Sequence, residues 1–299
     1  MANILITGGT GLVGTKLSMQ LANQGHVITH LSRKPEHGAQ FKQYSWNLSD
    51  KTIDSAAFEN IDTIIHLAGA GVADSKWTDQ RKKVILDSRV ESTKLLFDKV
   101  KEHGVALKSY ITASAIGIYG SDTEQLFVED DHSANDFLAR VVVAWEDSAD
   151  VFNEITQVSK VRIGIVLAKE GGALKEIAKP IKLFAGAPLG SGNQWMSWIH
   201  IDDLAGIFQY IVQENLTGVY NAVAPHPVTN ETLTKAAAKA LKKPLILPNV
   251  PEFVMKLMLG EMSQIVLEGA KVSSEKIEKA GFQFKFKKID NAVKDLLAN

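Results

Sequence analysis

The chain contains no cysteine, and that absence excludes disulfides, thiolate metal sites and a thiol nucleophile, together with the disulfide-rich secreted scaffolds. An excess of one charge is also missing. The 33 Lys and Arg stand against 34 Asp and Glu, for a formal net charge of -1 and a pI near 6.7. No global field draws in a polyanion, so nucleic acid is not an expected partner. No apolar run approaches the roughly 18 residues that a membrane helix needs, and no membrane association is expected. The first apolar run begins at residue 3 with no leader ahead of it, which makes the cytoplasm the expected address. What remains is a chain of 299 residues, 45% hydrophobic and 22% charged. That length suffices for one large domain and a smaller one, and the expected partner is a small molecule.

The stretch around which the rest is organised is Asn3-Ile4-Leu5-Ile6-Thr7-Gly8-Gly9-Thr10-Gly11-Leu12-Val13-Gly14. A short apolar run breaks at a glycine-rich turn and continues as Leu12, Val13, Leu17 and Leu21, which is helical spacing. This reads as strand, turn, helix. Glycines at 8, 11 and 14 let the backbone turn sharply, let a ligand approach without a Cβ in the way, and let the helix pack on its strand. The N–H groups at the start of such a helix then face a diphosphate. An ordinary tight turn would use glycine too, but this pattern lies in the strand-to-helix context that dinucleotide binding requires.

Residues 26–31 read as the second strand, rich in β-branched residues and placed after a Gly25 stop. It ends in Ser32-Arg33-Lys34-Pro35, where an NAD-binding protein usually offers a carboxylate to the ribose 2′-hydroxyl. Two cations and a hydroxyl stand there instead. A carboxylate would repel the 2′-phosphate of NADP, whereas Arg33 can fork onto it and Lys34 adds charge. The alternative is a solvated loop that happens to be basic.

Further on, residues 62–67 form a buried strand that runs into the small residues Ala68-Gly69-Ala70-Gly71, against which a cofactor could lie. Residues 79–103 read as a long helix with Val90, Thr93, Phe97 and Val100 on one stripe. Arg89 falls next to that stripe, as a surface residue or a cofactor phosphate contact. The strand 109–113 ends at Ser114, with Tyr119 close behind. Strand ends at this edge of an open parallel sheet are where ligands bind, so Ser114 either orients a substrate or caps the local turn. A polar, acidic loop (122–136), a helix (137–151) and a strand (161–167) follow. Five or six strands alternating with helices predict an α/β fold with a doubly wound parallel sheet.

From Gly171 onward glycine and proline punctuate the chain, and Trp195, Trp198 and His200 read as packing or as the mouth of a pocket. Asp202 reads as the N-cap of the next helix. Beyond Pro248 and Pro251, the apolar stripe of Phe253, Met255, Leu257, Met258, Leu259 and Met262 reads as core, with pocket lining or a dimer contact as alternatives.

The motifs ThrGlyGlyThrGlyLeuValGly (7–14), SerArgLysPro (32–35) and HisLeuAlaGlyAlaGlyValAla (66–73) form part of a pattern that runs nearly end to end. LysTrpThr (76–78), AspSerArg (87–89) and GlnTrpMetSerTrpIleHisIleAspAspLeuAla (194–205) extend it. With them the chain resembles the extended short-chain dehydrogenase/reductases, within these the atypical group of epimerase-family proteins. The resemblance implies an NAD(P)-binding Rossmann domain over 1–168, completed by about 198–225. It implies a small C-terminal substrate domain from about 169–197 and 226–299. NADP or NADPH is the implied cofactor, with Gly8, Thr10, Gly11, Leu12, Val13 and Gly14 at the diphosphate, and Ser32, Arg33 and Lys34 at the 2′-phosphate. Leu67, Ala68 and Gly69 would lie along the cofactor, Arg89 near its adenine half and Ile165 near the nicotinamide. A homodimer is implied by analogy alone.

Two departures from the family pattern shape the functional expectation. Classical short-chain dehydrogenase/reductases use a Ser with a Tyr and, four residues later, a Lys that lowers the Tyr pKa, whereas the atypical group that this chain resembles generally lacks the pair. Here the corresponding helix offers Phe137 with Val141, or Leu138 with Val142, and neither pair can move a proton. Ser114 and Tyr119 are left as the candidate catalytic residues. The last arginine is Arg162, so the C-terminal part lacks the guanidinium fork that suits a nucleotide-sugar diphosphate. The leading expectation is therefore an NADP(H)-dependent oxidoreductase or epimerase-like enzyme acting on a small molecule. A non-catalytic NADP(H) sensor is the second reading, and a nucleotide-sugar epimerase is disfavoured.

Overall fold

Short β-branched runs alternate with amphipathic helices along the chain, and in the computed structural model, which describes residues 1–298 with the side chains of 122 and 123 excepted, they assemble into a layered α/β structure. In chain order the strands are β1 (Asn3–Thr7), β2 (Val27–Ser32), β3 (Lys42–Asn47), β4 (Thr52–Ile53), β5 (Thr63–His66), β6 (Ser109–Ala115) and β7 (Asp122–Phe127). They continue as β8 (Gln157–Ile163), β9 (Ile165–Leu167), β10 (Trp195–Met196), β11 (Trp198–His200), β12 (Gly218–Ala222), β13 (Val228–Thr229) and β14 (Ala270–Val272). The helices are α1 (Leu12–Asn23), α2 (Asp79–Glu102), α3 (Phe137–Ala149), α4 (Gly172–Lys182), α5 (Ile201–Glu214), α6 (Asn230–Ala240), α7 (Glu252–Leu259), α8 (Gln264–Leu267), α9 (Glu275–Lys279) and α10 (Ile289–Leu297).

Eight strands form the main sheet in the order β12-β8-β6-β5-β1-β2-β3-β4, every neighbouring pair parallel except β3 with β4. The chain winds outward from β1 to β4, returns to β5 on the other side of β1, and winds outward again. A crevice therefore opens beyond the carboxyl ends of β1 and β5, where the winding reverses. Register places Thr7 level with Leu31 of β2 and His66 of β5, so three strands deliver their following loops to one rim.

Alternation along β1 feeds both faces of the sheet. Ile4 and Ile6 pack with Leu17 and Leu21 of α1 and with Ile207 and Phe208 of α5. Leu5 turns the other way, toward Leu31, Ile64, Leu96 and Tyr110, and Tyr110 stacks on Phe152 at 3.7 Å. A further core joins Leu174, Trp198, Leu233, Phe286 and Val293 from the later part of the chain.

Several elements depart from the expectations above. The buried face of α2 centres on Ser92, Thr93, Leu96 and Val100 rather than on Val90 and Phe97, because Ser92 has a buried partner described below. The strand expected over 161–167 is broken at Gly164, where a Cβ would lie 2.4 Å from the Ser197 carbonyl oxygen; beyond the break β9 leaves the main sheet and pairs with β11. The acidic loop contains β7, which pairs in parallel with β14. His200, not Asp202, caps α5: its Nδ1 accepts the Asp202 N–H at 3.0 Å. The Asp202 carboxylate pairs instead with Lys16 at 2.6 Å and Lys285 at 3.3 Å. Finally, α7 buries none of its residues, and Phe253, Leu257 and Met258 are exposed.

Candidate cofactor crevice and substrate cavity

The glycine turn follows β1 directly. Gly8 has φ +68°, in the left-handed region, and a Cβ there would lie 3.1 Å from the backbone of Leu67 and Ala68. The turn closes where the Gly11 N–H donates to the Gly8 carbonyl at 3.0 Å. Gly14 sits under it so tightly that a Cβ would lie 2.2 Å from that same carbonyl oxygen. Gly9 is needed for a different reason: the His30 ring packs where its Cβ would be. Gly11 starts α1 with no side-chain cap and no acidic residue in the first turn. The helix thus presents unsatisfied N–H groups and a positive dipole end to the crevice. Thr10 is exposed at the tip, and Leu12 and Val13 are half-buried behind it.

A buried hydrogen-bonded relay holds β5 to this turn. The Ser92 hydroxyl donates to the Ser88 carbonyl at 2.7 Å, so His66 Nε2 donates to Ser92 at 2.9 Å and Nδ1 accepts from the Thr7 hydroxyl at 2.6 Å. The Thr7 oxygen in turn accepts the N–H groups of Leu67 and Ala68, each at 3.2 Å. Burial drops the His66 pKa to about 3, with Arg89 contributing second, so the ring stays neutral and this direction of donation holds. Arg89 lies beneath the next residues. A Cβ on Gly69 would lie 3.1 Å from its guanidinium carbon, and Nη1 donates to the carbonyls of Ala70 at 3.0 Å and Ile85 at 2.8 Å. The guanidinium lies 4.9 Å from the centre of the Trp145 ring, and burial, then Arg81, lowers its pKa to about 10. At the end of β2, Ser32 Oγ accepts the Lys34 N–H at 3.2 Å. Arg33 and Lys34 are exposed, and among the described residues neither side chain has an ion-pair partner.

Ser114 and Tyr119 come together, but around a guanidinium rather than at an open surface. Ser114 Oγ donates to Glu146 at 2.5 Å. Arg162 grips the same carboxylate with two N–H groups, at 2.8 and 2.9 Å, and donates to the Tyr119 oxygen at 2.9 Å. The Tyr119 hydroxyl donates to Asn221 Oδ1 at 2.8 Å, and Glu129 accepts the Asn221 N–H at 2.8 Å. All six residues are buried, and burial pushes the Tyr119 phenol up to about 12. Sequence patterns do not point to Glu146, Asn221 or Glu129, nor to this role for Arg162; an Arg within an apolar strand opposite a Glu in the last turn of a helix is the signal present.

Beside this network a cavity of about 170 Å³ opens between the sheet rim and the C-terminal segment, lined among others by Leu138, Ile165, Trp195, Asp136 and Glu268. Of the two helix pairs weighed above, Leu138 is the residue that faces the cavity, while Val142 is in the core. Phe137 stands edge-on to Trp77 at 5.0 Å. Trp195 lines the cavity; Trp198 and His200 are buried, the latter stacked on Phe286 at 3.8 Å. Among the described residues no helix is long and apolar enough to cross a membrane.

A doubly wound sheet with a glycine turn and an uncapped helix at its switch point defines the class, a Rossmann-type dinucleotide-binding fold. Comparison with known proteins narrows it. The profile of the NAD dependent epimerase/dehydratase family matches residues 4–141, and a domain of unknown function matches residues 250–296. An epimerase family protein of Staphylococcus aureus is 36% identical over 301 residues, spanning 100% of both chains. A chloroplastic epimerase family protein of Arabidopsis thaliana, an SDR39U1 homolog, is 33% identical over 98% of this chain and 86% of its own. Human epimerase family protein SDR39U1, whose crystal structure was solved with NADPH, superposes with a TM-score of 0.90 at 30% identity, over 99% of each chain. The chain belongs to this epimerase family of atypical short-chain dehydrogenase/reductases.

Proposed function

We propose that this protein is an NADP(H)-dependent oxidoreductase or epimerase-like enzyme that acts on a small molecule held in the cavity beside Ile165. The observation that carries the reading is the uncapped start of α1 at the switch point, with two exposed cations at the end of β2 that have no ion-pair partner among the described residues. The glycine positions fit the group, because a side chain at Gly14 would collide with the turn itself, one at Gly8 would press on the backbone of Leu67 and Ala68, and Gly11 leaves the helix end open. The backbone of Gly8, Thr10, Gly11, Leu12, Val13 and Gly14 would hold the diphosphate. Ser32, Arg33 and Lys34 would hold the 2′-phosphate, a role Arg suits by its planar fork. Leu67, Ala68 and Gly69 would flank the cofactor, with Arg89 stiffening their loop from below. When bound, the nicotinamide supplies or accepts a hydride. The NADPH in the human relative supports the choice of cofactor.

In this reading Ser114 and Tyr119 position the cavity wall through Glu146 and Arg162. The proton comes from water, the substrate or a cavity carboxyl. The engagement of both hydroxyls favours one second reading, a protein that binds NADP(H) and senses it without turnover. A titration of cofactor-stripped protein with NADPH and NADH tests the cofactor. Changing Arg33→Ala together with Lys34→Ala should weaken NADPH by about 10- to 100-fold, the worth of one or two charge-assisted hydrogen bonds, and leave NADH nearly unchanged. Equal losses would remove the pair from the 2′-phosphate. Oxidation of NADPH by a panel of small carbonyl compounds then separates enzyme from sensor.

A further inference from the structure

The cavity walls differ in chemistry. Ile116, Leu138 and Ile165 make it apolar, and its charged side chains are both acidic: Asp136 and Glu268. Among the described residues lining it there is no Lys or Arg. The two acids come from different parts of the chain. Asp136 caps α3, its Oδ1 accepting the Ala139 N–H at 3.0 Å, so it is fixed to the rim of the sheet. Glu268 directly follows α8 in the C-terminal segment. Glu268 is exposed at the edge of the cavity; partial desolvation first and then the charge of Asp136 push its carboxyl above the usual range, against an opposing pull from Lys256. Lys256 is itself paired with Glu252 at 3.5 Å, and Lys271 lies 4.8 Å from the centre of the Trp195 ring.

A ligand that brings a positive charge or a hydrogen-bond donor to these carboxyls relieves their repulsion. A ligand carboxylate or phosphate would add a third negative charge to the same space. Size constrains the ligand further. A dry cavity of roughly 150 Å³ accommodates benzene, so this one suits a body of similar size plus a head group, well short of a nucleotide sugar.

We propose that the cavity recognises a compact ligand with an apolar body and a protonated amine as its head group, seated against Asp136 and Glu268. This rests on the reading of the cavity as the substrate end of the cofactor site, and the experiment separates the two. Three near-isosteric probes, benzylamine, benzyl alcohol and benzoate, are titrated near neutral pH into the full-length protein, with and without saturating NADPH, and followed by ligand-observed NMR. Benzylamine should bind at least about fivefold more tightly than benzyl alcohol, the scale of one partly exposed charge pair, and benzoate should bind most weakly. Glu268→Gln should abolish the benzylamine advantage and leave benzyl alcohol within about twofold. Asp136→Asn, which keeps a capping oxygen, gives the same readout should the first variant fold poorly. Equal affinities, preference for benzoate, or no saturable binding of benzylamine would overturn the proposal. NADPH titrated into the same samples reports separately. Its failure to bind while the probe order persists would overturn the cofactor reading alone; normal NADPH binding with the order lost would overturn this proposal alone.

Discussion

At the residue scale, Gly14 is the position in the dinucleotide turn with the least tolerance. A Cβ there meets the Gly8 carbonyl oxygen at 2.2 Å, an atom already committed to the Gly11 N–H. Gly14→Ala should cost about 1–3 kcal/mol by overpacking and weaken NADPH binding, measured by thermal unfolding and titration. The Arg162–Glu146 pair is a second such point. Arg162→Leu leaves a buried carboxylate with only Ser114 for company, and urea unfolding should show a loss of about 3–5 kcal/mol; adding Glu146→Gln should recover part of it. Buried histidines set the response to acid. Burial lowers the His30 pKa from the ordinary imidazole value of about 6.5 to about 4, so the unfolded chain takes up the proton first. Stability is complete above pH 6.5 and falls as pH drops toward 4, by up to about 1.4 kcal/mol per unit. His66 prolongs the same trend to about pH 3. His30→Gln should flatten the slope of unfolding free energy between pH 6.5 and 4; an unchanged slope would assign it to other groups.

At the element scale, helices and strands here are set partly by what they must not touch. Strand β8 ends where Gly164 lets the chain pass under the Ser197 carbonyl, and that break frees β9 to carry Ile165 to the cavity rather than onward in the main sheet. Helix α2 is rotated so that a serine faces inward, since Ser92 completes the relay that holds Leu67 and Ala68 at the crevice. Helix α7 is the opposite case, apolar in composition yet unburied. Leu257, 81% exposed, contributes little to the fold, and Leu257→Ser should change unfolding free energy by no more than about 0.5 kcal/mol.

At the scale of the whole molecule, the site is a seam between early and late parts of the chain. The crevice is built from residues before 90, whereas the cavity is closed by residues after 260. Met262 and Ile265 pack against the group of Trp77, Ile85 and Val141, and Lys82 of α2 pairs with Glu261. Cofactor binding should therefore stabilise the molecule as one unit. NADPH at 100 times its Kd adds about 2.7 kcal/mol to the unfolding free energy, seen as a single shifted transition in calorimetry. An unshifted transition would count against binding at this crevice.

The crevice was legible in the sequence because its rules are local. A strand, three spaced glycines and a helix, then a basic dipeptide after the next strand, each act within a few residues of backbone. The alternation of strands and helices carried the doubly wound sheet in the same way. The break at Gly164, the inward turn of Ser92 and the solvent-facing side of α7 were not legible, since each depends on a neighbour distant in sequence. The role of Ser114 and Tyr119 shows the limit most clearly. Their partners Glu146 and Asn221 lie 32 and 102 residues away, and only folding decided that these hydroxyls meet buried carboxylate, guanidinium and amide groups instead of an open rim. By itself the sequence determined where a glycine turn would open the start of α1 onto the crevice; tertiary structure alone decided which side chains border the cavity, because a buried polar group takes whatever partner the packing brings within reach.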